Sequence, residues 1–242
     1  MVKSADDALF ISGWSMIVSF EFLKTPTFNQ EAQIILKGLT QQLQQAGWKV
    51  LVLIDGDLGS QYDDRLQLIY QNLLNHSEIT LSPISQWLVR LAAFEARWNQ
   101  ARAWKEANPQ GIVLYSHWVD HLFVQSELSL DETINGALWQ IVQTLSQNTK
   151  PTLTFFLDLA GIKNEVEQAK HQRYLAQLAQ ISKNRQAWTF RPVEWIQGKN
   201  AAGMKSLQTL INEVFHIISQ KHQAQLDQEL DAFIADFHGS DD

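Results

Sequence analysis

The stretch "FEFLKTPTFNQEAQIILKGL", residues 20–39, decides the fold. Upstream of it, Met16-Ile17-Val18-Ser19-Phe20 is a short apolar run of strand type. Within and beyond it, Ala32, Ile35, Leu36, Leu39 and Leu43 recur at the spacing of one helix face. A strand, a short loop and a long helix near the N-terminus form the frame in which backbone amides at a helix start hold a phosphate group. Here the loop carries no glycine, and no lysine stands at the helix start. The frame is present without the groups that hold the anion.

Working outward, further apolar runs follow at Lys49–Ile54 ("KVLVLI"), Gly111–Tyr115 ("GIVLY") and Thr152–Leu159 ("TLTFFLDL"), with a weaker one at Trp188–Phe190 ("WTF"). None alternates apolar with polar, which is the pattern of strands covered on both faces in a parallel sheet. Helical periodicity fills the spaces between them, over 29–46, 62–75, 83–107, 131–147, 163–182 and 202–221. Gly47, at the end of the first helix, is placed as a C-cap glycine leading into the second strand. The pattern predicts an α/β fold: a three-layer, open, doubly wound parallel sheet. One domain is expected over residues 1–218, with a C-terminal extension over 219–242.

Composition narrows the function classes. The chain has 242 residues, 45% of them apolar and 19% charged, as a globular protein with a sizeable core requires. Its nine tryptophans are scattered and read as packing residues. A formal net charge of −7, with no Lys/Arg cluster, argues against a nucleic-acid partner. There is no cysteine, which excludes disulfides, thiolate metal sites and cysteine nucleophiles. The opening "MVKSADDALFISGW" does not have the form of a signal peptide, and no apolar run approaches the ~18 residues of a membrane span. The expectation is a soluble cytoplasmic protein without a membrane partner.

The order of elements and several short motifs resemble those of thymidylate kinase, a nucleoside monophosphate kinase with the P-loop NTPase fold. The resemblance runs over roughly residues 15–218. That family opens with F-E-G-x-D-G-x-G-K-[ST]-T-Q, and "FEFLKTPTFNQE" lies on it without a gap. Phe20 and Glu21 match. Phe22, Thr25 and Thr27 replace the three glycines, and Lys24 stands where the family has an acid. Phe28 stands at the phosphate-binding lysine and Asn29 at the magnesium-binding hydroxyl. The second motif, "QQAGWKVLVLIDGDLGS", keeps the helix end and the strand, and only Gly59 and Ser60 match its ending. In "GIVLYSHWVDHLFVQSEL", Ser116, His117 and Trp118 stand at the family's Asp-Arg-aromatic triplet. "LAAFEARWNQ", residues 91–100, is similar to the helix with the acceptor-site arginine, with Arg97 the nearest match. The arginine-rich lid is replaced by "GIKNEVEQAKHQRYLAQLAQ", whose one arginine is Arg173.

Each departure removes a charge-stabilising part. A P-loop needs glycine for its backbone angles and for close approach of the chain to phosphate. Lysine and a magnesium ligand offset charge as the phosphoryl group moves, and Phe28 does neither. At position 117 a histidine replaces a permanent bidentate cation. The expectation is a protein that keeps the kinase scaffold, has lost the chemistry, uses no cofactor and acts by binding. The alternative is a dTMP kinase that transfers phosphate from ATP with a rebuilt loop.

Other constellations give weaker signals. "HWVDH" sets His117 and His121 four apart around Asp120, as in H-x-x-E-H zinc sites. A metal-dependent hydrolase is therefore a second alternative, although packed or solvated rings at a helix start explain the pair as well and no metal is expected. "DGDLG", Asp55–Gly59, lacks the later acid of a calcium loop and reads as a turn. Lys24 and Thr25 read as a solvated loop that could hold an anion. Asp158 falls at a strand's carboxyl end, where α/β proteins place ligands. On the 83–107 helix, Trp87, Leu88, Leu91, Phe94, Trp98 and Ala101 form a broad apolar face, and the family resemblance implies a homodimer through helices on one side of the sheet. In the extension, Leu226, Leu230, Phe233, Ile234 and Phe237 form an apolar helical stripe opposite Asp227, Glu229, Asp231 and Asp236. That stripe either folds back on the domain or grips a protein partner.

Overall fold

A computed structural model describes residues 16–22, 26–54, 72, 81–118, 136–137, 140–141, 151–158, 165–184, 193–200 and 203–238. The described strands of the main sheet are β1 (Met16–Glu21), β2 (Val50–Leu53), β3 (Ile112–Ser116), β4 (Leu153–Asp158) and β5 (Val193–Gln197). They lie in the order β2-β3-β1-β4-β5, and every pair is parallel. The described helices with full bounds are α1 (Pro26–Gln45), α2 (Pro83–Ala107), α3 (Glu165–Asn184) and α4 (Leu207–His238). The three-layer α/β expectation holds, because helices cover both faces of an all-parallel sheet.

Side-chain alternation along β1 divides the core in two. Met16, Val18, Phe20 and Phe22 pack with Ile35, Leu36, Leu39 and Leu43 of α1 and with Leu210, Ile211, Val214 and Ile218 of α4. Ile17, on the other face, joins Trp87, Leu91, Phe94 and Trp98 of α2 and Leu175 and Leu178 of α3. The chain moves from β1 to β2 along the α1 face, and α2 (between β2 and β3) and α3 (between β4 and β5) lie along the other, the arrangement that right-handed crossovers require.

Local signals set the element ends. Pro26 opens α1, where its missing N–H costs nothing. Gly47, at φ 90°, closes it: the Gly47 and Trp48 amides donate to the carbonyls of Gln44 and Leu43. Ser82 caps α2 by accepting from the Ser85 amide at 3.2 Å, with Pro83 in the first turn.

Three expectations shift. The described fifth strand is Val193–Gln197, and "WTF" at 188–190 lies outside the described residues. Glu194 and Gln197 interrupt the apolar run of the described strand, so its sequence does not read as a continuous buried strand. The last helix begins at Leu207 rather than 202, because Lys199–Asn200 and Gly203–Met204 form a small antiparallel hairpin, β6 and β7. That helix then continues without interruption to His238, through most of the 219–242 extension.

The apolar face of α2 is also accounted for. Trp87, Leu91, Phe94, Trp98 and Ala101 are buried in the chain's own core, while Leu88 is 46% exposed. The broad face therefore covers the sheet and supplies no argument for pairing.

Candidate functional site

β1 sends its chain to the α1 face and β4 sends its chain to the other, so the carboxyl ends of β1, β3 and β4 flank the switch point where open α/β sheets place ligands. Six residues assigned from the sequence fall at this end of the sheet or beside it: Phe22, Arg97, Ser116, His117, Trp118 and Asp158.

Phe22 and His117 meet. The His117 amide donates to the Phe20 carbonyl at 2.9 Å, which extends the β1–β3 ladder by one bond. His117 then takes φ 57°, a left-handed conformation uncommon outside glycine, which asparagine, aspartate and histidine adopt more often than other residues. This turn carries its ring back over β1. The rings of Phe22 and His117 lie 4.1 Å apart, and Nε2 of His117 donates to the Phe22 carbonyl at 2.9 Å. Both side chains are buried.

Glu21 sits one residue earlier, on the α2/α3 side, and is fully buried. Its Oε1 accepts the Trp118 amide at 2.7 Å. The left-handed turn at His117 presents that amide, so the carboxylate pins the chain as it leaves β3. Trp118 is buried in turn among Phe94, Trp98 and Tyr115, each met near a right angle at centroid distances of 4.9–5.6 Å. Edge-to-face contacts of this kind favour one ring orientation.

Arg97 is also buried, with its guanidinium carbon 5.1 Å from the centre of the Tyr115 ring and its Nε donating to the Ala93 carbonyl. Tyr115 in turn donates its hydroxyl to the Phe94 carbonyl at 3.2 Å. Ser116 ends β3 and is buried.

α3 supplies residues that the sequence reading passed over. Tyr174 is buried; burial first, and then the charge of Glu21, pushes its phenol well above the ordinary value of 10.0. One turn earlier, Nε2 of buried His171 lies 3.2 Å from Oδ1 of Asp158, and Gln172 donates to the same oxygen at 3.2 Å. Deeper along the strands, the Ser19 and Thr154 hydroxyls share a buried 2.7 Å hydrogen bond. His171 and Tyr174 are polar members of a helix rich in Gln and Lys, so nothing in the sequence sets them apart from its solvated face. Glu21 carried a signal: an acid at the end of an apolar strand needs a partner, and the amide after β3 provides it.

Other assigned residues stand elsewhere. Lys24 and Thr25 lie outside the described residues, and Thr27, Phe28 and Asn29 occupy the start of α1. Asp55–Gly59, Asp120 and His121 lie outside the described residues. His117 is not helical, so the helical spacing that would align its ring with His121 does not apply at its first member. Among the described residues, no group of three or more His, Cys, Asp or Glu is arranged to hold a metal ion. Nor is any helix among them long and apolar enough to cross a membrane.

Solved structures give a match to this arrangement. The crystal structure of thymidylate kinase from Ehrlichia chaffeensis superposes with a TM-score of 0.58, covering 85% of this chain and 99% of that one, at 16% sequence identity. The chain has the fold of thymidylate kinase. No protein-family model matches the sequence, and no curated protein matches it. The described ends of β1 and β3 in this thymidylate-kinase fold carry the Phe22–His117 and Glu21–Trp118 contacts. These join the two segments that read on the family's first and third motifs.

Proposed function

We propose that this chain is a thymidylate-kinase-fold protein that no longer transfers phosphate and acts by binding, as a scaffold in the cytoplasm, without a cofactor. The observation that carries the reading is the Phe22–His117 contact. Phe22 stands where the family's loop begins with glycine, and His117 where it has arginine. In a working site, the first allows close backbone approach to phosphate and the second offers a forked cation. Here both side chains are turned inward onto each other and buried. Transition-state charge on a phosphoryl group needs preorganised donors aimed at it, and these two positions supply none. Arg97, stacked on Tyr115, is likewise held by the core.

The test is a coupled ADP assay on the full-length chain with ATP, magnesium and dTMP. No turnover above background is expected, and magnesium-ATP should leave Tm unchanged. Turnover that is abolished by a substitution within residues 22–30 would overturn the reading. A saturable upward Tm shift of several degrees would mean about 1 kcal/mol or more of nucleotide binding, and would restore the phosphate site.

A further inference from the structure

We propose that the 223–238 part of α4 is a docking helix for a protein partner that offers an apolar groove with a basic rim. The inference names the surface and partner class of the binding role proposed above, and it stands or falls separately from the loss of phosphoryl transfer.

The register of α4 against α1 locates this segment. Near its start, Ile211 packs so close to Gly38 that a Cβ there would meet the Ile211 side chain at 2.5 Å. Asn212 accepts from Gln42 at 2.7 Å. Phe215 and then His222 lie against the ring of Trp48, at 6.2 Å and 4.9 Å between centroids. Trp48 follows the C-cap of α1 and precedes β2, so it marks the amino end of the sheet. α4 therefore runs from the carboxyl end of the sheet to its amino end, and passes that end at His222. It continues as a helix to His238, roughly 24 Å further at 1.5 Å per residue.

Burial changes at the same place. Leu210, Ile211, Val214, Ile218 and His222 are buried. After His222, none of the described side chains on α4 is; Asp227 and Asp231 are exposed, and Ile234 is 44% exposed. The sequence nevertheless continues an apolar repeat at Leu226, Leu230, Phe233, Ile234 and Phe237. Five large apolar residues on one face of a helix of this length call for a complementary surface.

Charge selects the occupant. Between Gln223 and His238 the chain has Asp227, Glu229, Asp231 and Asp236, and neither lysine nor arginine. Two copies of this segment pairing along their stripes would bring acid against acid, whereas lysine and arginine on a partner's rim would attract it and guide its approach. Anionic membrane surfaces attract basic helices and are disfavoured for the same reason.

The test places a photo-crosslinking residue at position 234 of the full-length chain in its own cells, with the same residue at the exposed Lys37 position of α1 as control. The expected result is an adduct specific to position 234, formed with one protein at an apolar surface flanked by Lys or Arg. The purified pair should then bind with a Kd raised at least tenfold by Asp227→Lys with Asp231→Lys, which leaves the stripe intact, and the Kd of the unaltered chain should rise with added salt. Leu230→Asp with Phe233→Asp should abolish the adduct at unchanged Tm. The proposal is overturned by adducts only within the same chain, by adducts to a second copy together with a dimer in sedimentation, or by no specific adduct. Binding that survives the charge reversal would overturn it too, as would a large fall in Tm in the stripe variant. The ADP assay is scored independently, so loss of one reading leaves the other standing.

Discussion

The two faces of the sheet are built by different rules. On the α1/α4 face, the buried contributions from β1, β3 and β4 are apolar except at the end of β3, where Ser116 lies beside Phe20: they include Met16, Val18, Phe20, Ile112, Leu114, Leu153 and Phe155. On the α2/α3 face, the same strands bury Ser19, Glu21, Thr154 and Tyr115, beneath Arg97, His171 and Tyr174 from the helices. The first face is held by area removed from water and by close packing. The second requires every polar group to find a partner, because an unmade hydrogen bond in a low dielectric is costly. Glu21 and Tyr115 lie toward the carboxyl ends of the strands, where ligands sit in this architecture, while Ser19 and Thr154 lie deeper. In this chain the polar groups with resolved partners bond to the protein itself: Glu21 to the Trp118 amide, Tyr115 to the Phe94 carbonyl and Asp158 to Gln172, with Nε2 of His171 3.2 Å from the same carboxylate. One face is thus held mainly by apolar packing, and the other buries polar groups whose resolved partners lie within the protein.

The largest effect expected from this contrast lies on the apolar face. Leu39 is fully buried between α1 and the sheet, and Leu39→Ala should cost about 2–5 kcal/mol, read as a Tm fall of roughly 4–20 °C. A loss below 1 kcal/mol in denaturant titration would mean that this face is loosely packed. An intermediate effect is expected from Glu21→Ala, which leaves the Trp118 amide without its acceptor and should cost about 1–3 kcal/mol. Glu21→Gln keeps an acceptor oxygen and should recover part of that loss. Equal destabilisation by both would shift the explanation from the hydrogen bond to the charge.

The smallest effect concerns pH. Tyr174 has its folded value raised above 10.0, so both states keep the proton below that pH and its contribution is fully present there. Above it, the unfolded chain loses the proton first, and stability falls as pH rises toward the folded value. Tyr174→Phe should therefore flatten the decline in stability above pH 10 while changing little at neutral pH. An unchanged alkaline slope would place the phenol in contact with solvent.

Much of the fold was legible because its signals are local. Uninterrupted apolar runs marked β1 to β4, helical periodicity marked α2 over 83–107, and Gly47 marked the end of α1. The described fifth strand, Val193–Gln197, was not named because Glu194 and Gln197 interrupt its apolar run, and β7 was absorbed into a helix because two-residue strands have no periodicity to detect. At the site, the aligned positions Phe22, Ser116, His117 and Trp118 could be named from motifs alone. Their partners could not. Arg97 was expected at an acceptor site, and only packing against Tyr115 showed how the core holds it.

By itself, the sequence determined the class of protein: alternating strands and helices with apolar strands, a first strand–loop–helix without a loop glycine, an acidic charge balance and an acidic amphipathic C-terminal segment. These follow from residue type and near-neighbour spacing, which fix local conformation and the side of an element that must be buried. Only the tertiary structure decided the order β2-β3-β1-β4-β5, which carries β1 to the centre of the sheet beside strands distant in sequence. That placement sets Phe22 against His117, Glu21 against the Trp118 amide and Ser19 against Thr154. It also carries α4 past the end of the sheet at Trp48. Contacts between residues about a hundred positions apart have no period or cap to announce them. They are chosen by which apolar faces can be buried together, and that is a property of the whole packed chain.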